Sequence, residues 1–224
     1  ITDGPYYHMG RFFSGLIAGI HDDYGQAVAL MAPSIDVIAP IVKDSVSLLQ
    51  NKLFLSYFYT MNGDYSKGKN LGLETIESLR KVLSSPSMGG RSRGAMSHLS
   101  SIILLFDNAR QNVLFSKPDS VRYTYGLLHR ELLYLKMQQE ERLDSFDTSN
   151  FFNTLVKYGH TSFWTKDYLH TRSVVTAYTE QIRNLFGEKS WEYDRCLDAL
   201  IPCYEDDDSM LKTVYEQQIA LEQK

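Results

Sequence analysis

Hydrophobic residues recur every three or four positions along most of the chain, the spacing that places them on one face of an α-helix. Two clear runs are Leu49, Leu53, Phe54, Tyr57 and Phe58, and then Val121, Tyr125, Leu128 and Leu132. Sustained alternation of apolar and polar residues, which would indicate β-strands, is not found. The pattern therefore predicts an all-α protein.

Short polar segments divide the helical stretches into pairs. Three of these segments carry the same dipeptide, at Asp23-Tyr24, Asp64-Tyr65 and Asp167-Tyr168. Aspartate at such a break is typical of a helix N-cap, because its carboxylate accepts a hydrogen bond from an unpaired backbone N–H. We interpret the tyrosine as an aromatic wedged into the hairpin. The first two dipeptides are 41 residues apart, and a period of this order is typical of stacked helical hairpins.

These polar breaks predict one domain over residues 1–224, built from about five helical hairpins. The hairpins cover approximately 5–40, 44–84, 91–138, 148–187 and 190–222. Residues 84–94 are rich in serine and glycine, which predicts a flexible linker. The alternative for this segment is a loop that binds an anion through glycine N–H groups together with Arg91 and Arg93.

Small residues stand nine positions before and three positions after each turn tyrosine. The pairs are Gly15 and Ala27, Ser56 and Gly68, and Gly159 and Thr171. In this respect the hairpins resemble tetratricopeptide repeats, although their period exceeds the usual 34 residues. The aromatic residue that the family places seven positions after the turn tyrosine is missing. The resemblance implies a right-handed α-α superhelix, with small residues where the two helices of a pair approach closely.

In tetratricopeptide repeats the first helices of the hairpins line a concave groove that holds a peptide or a helix. The resemblance implies the following groove candidates in the second and fourth hairpins: Gln50, Phe54, Tyr57, Met61, Asn153, Lys157, His160 and Trp164. In the first hairpin it implies Met9, Phe13, Leu16 and Ile20. The set is mostly apolar, so we expect the groove to bind a hydrophobic or helical segment. The alternative is that these aromatic residues simply pack between hairpins.

The resemblance implies a non-enzymatic scaffold that binds a protein or peptide through this groove. An alternative is a sensor or regulatory domain of a larger bacterial signalling or transcription-regulating protein, and a more distant one is an all-α enzyme. The first hairpin is more apolar than the terminal unit of a repeat array should be. We therefore expect an additional N-terminal domain, or a second copy in a homodimer, to cover it.

Composition and charge limit the kinds of partner that we expect for this chain. The chain has 224 residues, of which 43% are hydrophobic, and a formal net charge of −4. Binding to nucleic acid normally needs a basic face, so we expect none here. The most apolar stretch, residues 26–42, is too short and too interrupted to cross a membrane. A cytoplasmic location is favoured, and a periplasmic one would fit if an upstream signal had been removed.

Candidate catalytic and metal-binding patterns are missing from the sequence. The six histidines form no pair at metal-ligand spacing, and neither a nucleophile elbow nor a dinucleotide fingerprint occurs. On one helix Cys196 and Cys203 would stand about 10 Å apart, too far for a disulfide. They are predicted to be small core residues. We expect no cofactor, no metal and no catalytic residue.

Overall fold

The computed structural model describes residues 4–42, 45–84, 92–141 and 148–222, and within these ranges every regular element is helical. This confirms the predicted all-α class. The helices are α1 (Pro5–Ile20), α2 (Tyr24–Ile38), α3 (Ser45–Met61), α4 (Tyr65–Leu83), α5 (Ser92–Ser116), α6 (Asp119–Glu140), α7 (Thr148–His160), α8 (Ser162–Thr165), α9 (Tyr168–Phe186), α10 (Trp191–Leu200), a 3₁₀ helix (Ile201–Tyr204) and α11 (Asp208–Glu222).

The helices begin and end near the limits predicted from the polar breaks. The predicted linker lies mostly at residues 85–91, outside the described residues, and its last part, from Ser92, already belongs to α5. None of the helices in the described part of the chain combines the length and the apolar character that a membrane crossing requires.

Backbone contacts group the chain into two compact units, Ile1–Glu131 and Leu132–Lys224. The sequence predicts one continuous repeat domain, whereas the division between the units falls inside α6. Each unit has its own hydrophobic core. In unit 1 the core includes Phe58 and Phe106, and in unit 2 it includes Phe152, all of them buried.

The turns after α1 and α3 share one backbone design. Each contains a single residue in the left-handed conformation, Asp22 at φ 64° and Gly63 at φ 93°. The following aspartate donates its N–H to the carbonyl oxygen five residues earlier, at 3.0 Å in the first turn and 2.9 Å in the second. This is the Schellman motif, which satisfies carbonyl groups left over at a helix C-terminus.

Three of the four aspartates at the breaks make the capping hydrogen bond that the sequence predicts. The carboxylates of Asp23, Asp167 and Asp207 each accept a hydrogen bond from the N–H three residues later, at 3.0, 3.3 and 3.1 Å. Asp64 holds the N-cap position of α4 without such a bond.

The interpretation of the turn tyrosine as a wedge holds in one hairpin and is wrong in another. Tyr24 is buried, and its ring lies against the rings of Tyr57 and Phe58 on α3. Tyr65 occupies the equivalent position in the second hairpin and is exposed. The difference is physical: aromatic rings of the following helix cover Tyr24, and Tyr65 has no such cover.

The small residues of the first two hairpins lie where paired helices come closest. A Cβ added to Gly15 would stand 2.7 Å from Met31 Cγ, on α2. In the second hairpin the Ser56 hydroxyl donates to the Gly68 carbonyl oxygen at 2.7 Å. These contacts leave no room for a larger side chain between the helices.

Unit 2 departs from that pattern. A Cβ added to Gly159 of α7 would overlap the carbonyl of Ala199, so the close approach joins α7 to α10 rather than to α9. The chain after α10 is held from two sides. Ser162 donates its hydroxyl to the carbonyl oxygen of Pro202 at 2.7 Å. Arg172 donates to the carbonyl oxygen of Cys203 through Nε at 3.1 Å and through an Nη at 2.9 Å.

Both cysteines are buried and reduced in the core of unit 2. The thiol of Cys203 donates to the carbonyl oxygen of Ala199 at 3.3 Å. Burial raises the pKa of Cys196 and of Cys203 to about 12. Because the thiolate is the reactive form of cysteine, both side chains are inert near neutral pH.

The packing at Gly68 predicts a large loss of stability on Gly68→Ala. The new Cβ would overlap the Thr60 hydroxyl and stand 2.9 Å from the Ser56 carbonyl oxygen, which should cost about 2–3 kcal/mol as overpacking. Gly25→Ala is the matched control, since its Cβ would meet nothing closer than 3.5 Å, and we expect it to gain about 0.5–1 kcal/mol from helix propensity. Urea unfolding measures both. Equal stability of the two variants would contradict the close approach at Gly68.

The buried thiols predict an alkaline loss of stability. Their folded pKa lies above the unfolded value of 9.0, so the folded state keeps protons that the unfolded chain loses. Stability is therefore full below pH 9 and falls as pH rises from 9 towards 12, by up to about 1.4 kcal/mol per pH unit for each thiol. Urea unfolding between pH 8 and pH 10 should show a shallower decline for Cys196→Ala/Cys203→Ala. An unchanged slope would mean that the thiols are not the titrating groups.

Candidate functional site

A pocket of about 340 Å³ opens in unit 1 at the turn between α1 and α2. It is lined by Gly19, Ile20, Asp22, Tyr24, Tyr57, Leu105, Asn108 and Ala109. The helices that supply most of this lining are α1, α3 and α5, the first helices of the first three predicted hairpins. Its volume lies within the range of about 300–1,000 Å³ that is usual for ligand pockets.

One wall of the pocket carries a carboxylate and two phenols. The hydroxyl of Tyr24 donates to the carboxylate of Asp22. The rings of Tyr24 and Tyr57 meet edge to face, with 6.2 Å between their centroids. Burial raises the pKa of Tyr57 to about 12. The pKa of Tyr24 is raised above its usual range, mainly by burial and secondly by the hydrogen bond to Asp22. Both phenols are therefore protonated at neutral pH.

The ring of Tyr57 is held in place by its neighbours. Its centroid lies 5.2 Å from that of Phe106 on α5 and 5.6 Å from that of Phe58. On the Tyr24 side, the Lys117 ammonium lies 5.4 Å from the ring centroid, within range of a cation–π interaction. The aromatic wall is thus a fixed part of the core whose edge faces the pocket.

The backbone at Asp22 is unusual for a residue with a side chain. The left-handed conformation costs roughly 1–2 kcal/mol for an ordinary L-residue, and aspartate and asparagine tolerate it better than most. The equivalent position of the second hairpin is Gly63, the residue that this turn normally favours. The first hairpin therefore has a carboxylate at a position where glycine would adopt the left-handed conformation at a lower energetic cost.

The groove candidates of the second hairpin are largely built into the core. Tyr57 and Met61 are buried, and Phe54 is half-buried with its ring stacked on that of Phe58. Gln50 is half-buried and hydrogen-bonded to His98. The alternative, that the aromatic residues pack between hairpins, fits Tyr57, whose buried ring lies 5.2 Å from that of Phe106 on α5.

In the fourth hairpin the groove candidates are divided between surface and core. Asn153 and Lys157 are exposed, and Asn153 accepts a hydrogen bond from Arg195 at 3.2 Å. His160 is half-buried and stacks on the ring of Phe163. Trp164 is buried. Their role in binding stays a prediction.

Two groove candidates from different hairpins do meet at one place. Ile20 of α1 and Tyr57 of α3 both line the unit 1 pocket. Asp22 directly precedes the predicted capping residue Asp23, and the capping interpretation gave it no role of its own. Asn108 could not be identified as a pocket residue from the sequence, because a single asparagine in a long helical run fits many surface positions.

The part of the chain that the structure describes contains no candidate metal-binding site. Among those residues, no three histidine, cysteine, aspartate or glutamate side chains come together as a metal ion would require. Asp22 stands in the pocket beside two tyrosines rather than beside other carboxylates.

The left-handed turn predicts an order of stability among variants of Asp22. Asp22→Ala and Asp22→Gly both remove the carboxylate and its bond to Tyr24, so their difference isolates the backbone. With φ at 64°, alanine should be less stable than glycine by about 1 kcal/mol. Urea unfolding of the two variants measures this difference. If the alanine variant were the more stable one, the turn would not hold the left-handed conformation.

The pocket has to be interpreted from its own chemistry. No protein-family model matches the chain, and a search of the curated proteins finds no significant match. The apolar wall, the two fixed phenols and the carboxylate therefore carry the functional assignment.

Proposed function

We propose that the chain is a non-enzymatic module that binds a protein or peptide, and that the unit 1 pocket receives a side chain of the bound segment. One observation carries this proposal: the first helices of three successive hairpins converge on a single pocket. A concavity that combines apolar surface with a few polar groups is the usual form of a binding site. The matching turns of the first two hairpins support a divergent tetratricopeptide-like arrangement.

The lining indicates what the partner should offer. Ile20, Leu105 and Ala109 provide an apolar surface for a hydrophobic side chain. Asn108 is exposed and can both donate to and accept from a peptide backbone. Asp22 favours a positively charged group or a backbone N–H. The proposed ligand is therefore a hydrophobic peptide segment that also carries a basic residue.

The state of the ionisable groups supports binding rather than catalysis. The pKa of Tyr57 is raised to about 12 by burial, and that of Tyr24 is raised further. A phenol that stays protonated at neutral pH is a weak base and a weak nucleophile, and remains a good hydrogen-bond donor. The buried thiols of unit 2 are protonated for the same reason.

The proposal predicts that peptides selected by the full chain will depend on the pocket. A displayed random-peptide library is panned against the protein, and the affinity of selected synthetic peptides is measured by fluorescence anisotropy. Asp22→Asn and Asn108→Ala should each weaken binding about tenfold, equivalent to about 1.4 kcal/mol. Tyr57→Phe is the third variant, because it removes the phenol and keeps the ring. Truncating the ring to alanine would instead remove part of the core.

Matched controls separate the pocket from the rest of the surface. Asp36→Asn on α2 and Asn184→Ala on α9 change the same residue types at exposed positions outside the lining. They should leave peptide affinity unchanged. The proposed site fails if selected peptides bind the three pocket variants as well as they bind the original chain. It also fails if the controls weaken binding as much as the pocket variants do.

A further inference from the structure

The outer face of α1 carries a continuous apolar stripe. The exposed fraction is 86% for Tyr6, 53% for Phe13, 58% for Ile17 and 63% for Ile20. Gly10 lies between the first two. The positions 6, 10, 13, 17 and 20 alternate spacings of four and three residues, which is the seam pattern of helices that pair with another helix. Large exposed apolar patches are uncommon on isolated soluble proteins and mark interaction surfaces.

The glycine in this stripe has no explanation within the described part of the chain. The other two glycines of α1 are required by packing, since a Cβ at Gly15 would crowd Met31 and a Cβ at Gly19 would overlap the ring of Phe58. A Cβ at Gly10 would meet nothing within 4 Å. Glycine is a poor helix former. A notch in an exposed apolar stripe is useful when another helix must approach there.

We propose that the stripe pairs with the same stripe of a second copy, with the two α1 helices antiparallel. Phe13 is the midpoint between Tyr6 and Ile20, so reversing the helix places Tyr6 opposite Ile20. The same reversal places Gly10 opposite Leu16, one residue and about 1.5 Å of helix rise from Ile17, so the notch of each copy lies beside an isoleucine of the other. The surface is therefore complementary to itself, as a twofold interface requires.

Charge and area are both compatible with this pairing. The stripe carries no charged side chain, and Arg11, the charged residue of α1, is turned towards α2, where it donates to the Ala29 carbonyl oxygen. No like charges would meet across the twofold axis. With about 150–250 Å² for each aromatic side chain, the exposed fractions of the four stripe residues correspond to roughly 500 Å² per copy. Two copies would bury about 1,000 Å², close to the lower limit for a specific interface.

An interface of this size should give a dimer that dissociates at micromolar concentrations. Sedimentation equilibrium of the full chain across that range should show a monomer–dimer exchange. Ile17→Glu should weaken the dimer at least a hundredfold, because two desolvated carboxylates would enter the seam. The matched control is Leu169→Glu on α9, which is 75% exposed and lies outside the stripe. It should leave the association unchanged. Ile20 belongs to both the stripe and the unit 1 pocket, whereas Ile17 and Gly10 do not line the pocket. Variants at these two positions therefore test the dimer without altering the proposed peptide site.

Gly10→Ala separates the interface from folding. Alanine is the better helix former, so the monomer should become more resistant to urea, while the added methyl should weaken the dimer several-fold. Disulfide trapping then tests the orientation without depending on either variant. In the antiparallel pair, a mixture of Tyr6→Cys and Ile20→Cys chains should cross-link, and Tyr6→Cys alone should not. The native thiols are buried and do not interfere.

Three results would overturn the proposal. A chain that remains monomeric at high concentration has no such interface, and its stripe must be covered by another partner. A dimer that survives Ile17→Glu uses a different surface. A Tyr6→Cys chain that cross-links to itself is paired in parallel, which would place the two Gly10 notches opposite each other.

Discussion

The packing of the Phe58 ring of α3 against Gly19 of α1 determines where the pocket of unit 1 can form. Gly19 permits it, because any side chain at this position would overlap the ring of Phe58. With the two helices in contact there, Ile20 is brought alongside Tyr57 at the pocket wall. A similar close approach at Gly15 holds α1 against α2. Two glycines on one face of a helix thus set the geometry on which the binding surface depends.

The pocket wall is both rigid and polar. Its phenols belong to an aromatic cluster that runs from Tyr24 through Tyr57 to Phe106 and Tyr125. Because these rings are packed on several sides, a ligand would meet polar groups that are already oriented. Preorganised groups of this kind reduce the entropy lost on binding. The carboxylate of Asp22 is fixed in turn by the left-handed backbone and by its bond to Tyr24.

Much of the fold could be predicted from local signals, and the site could be predicted only in part. Aspartate caps and three-to-four spacing depend on neighbours in sequence, so the helix limits follow from the residues themselves. Burial depends on the next helix in space. The same Asp-Tyr dipeptide therefore gives a buried tyrosine at Tyr24 and an exposed one at Tyr65. Gly159 was recognised as a contact residue, but its partner proved to be α10, because sequence spacing does not reveal which helix lies opposite.

The buried cysteines give the chain an internal reporter of local opening. Both thiols lie in unit 2, whereas the pocket lies in unit 1. A thiol reagent can modify them only when unit 2 opens, so the labelling rate measures the free energy of that opening. A peptide bound in unit 1 that slows labelling would show that the two units unfold as one cooperative system. An unchanged rate would show that unit 2 opens independently of the occupied pocket.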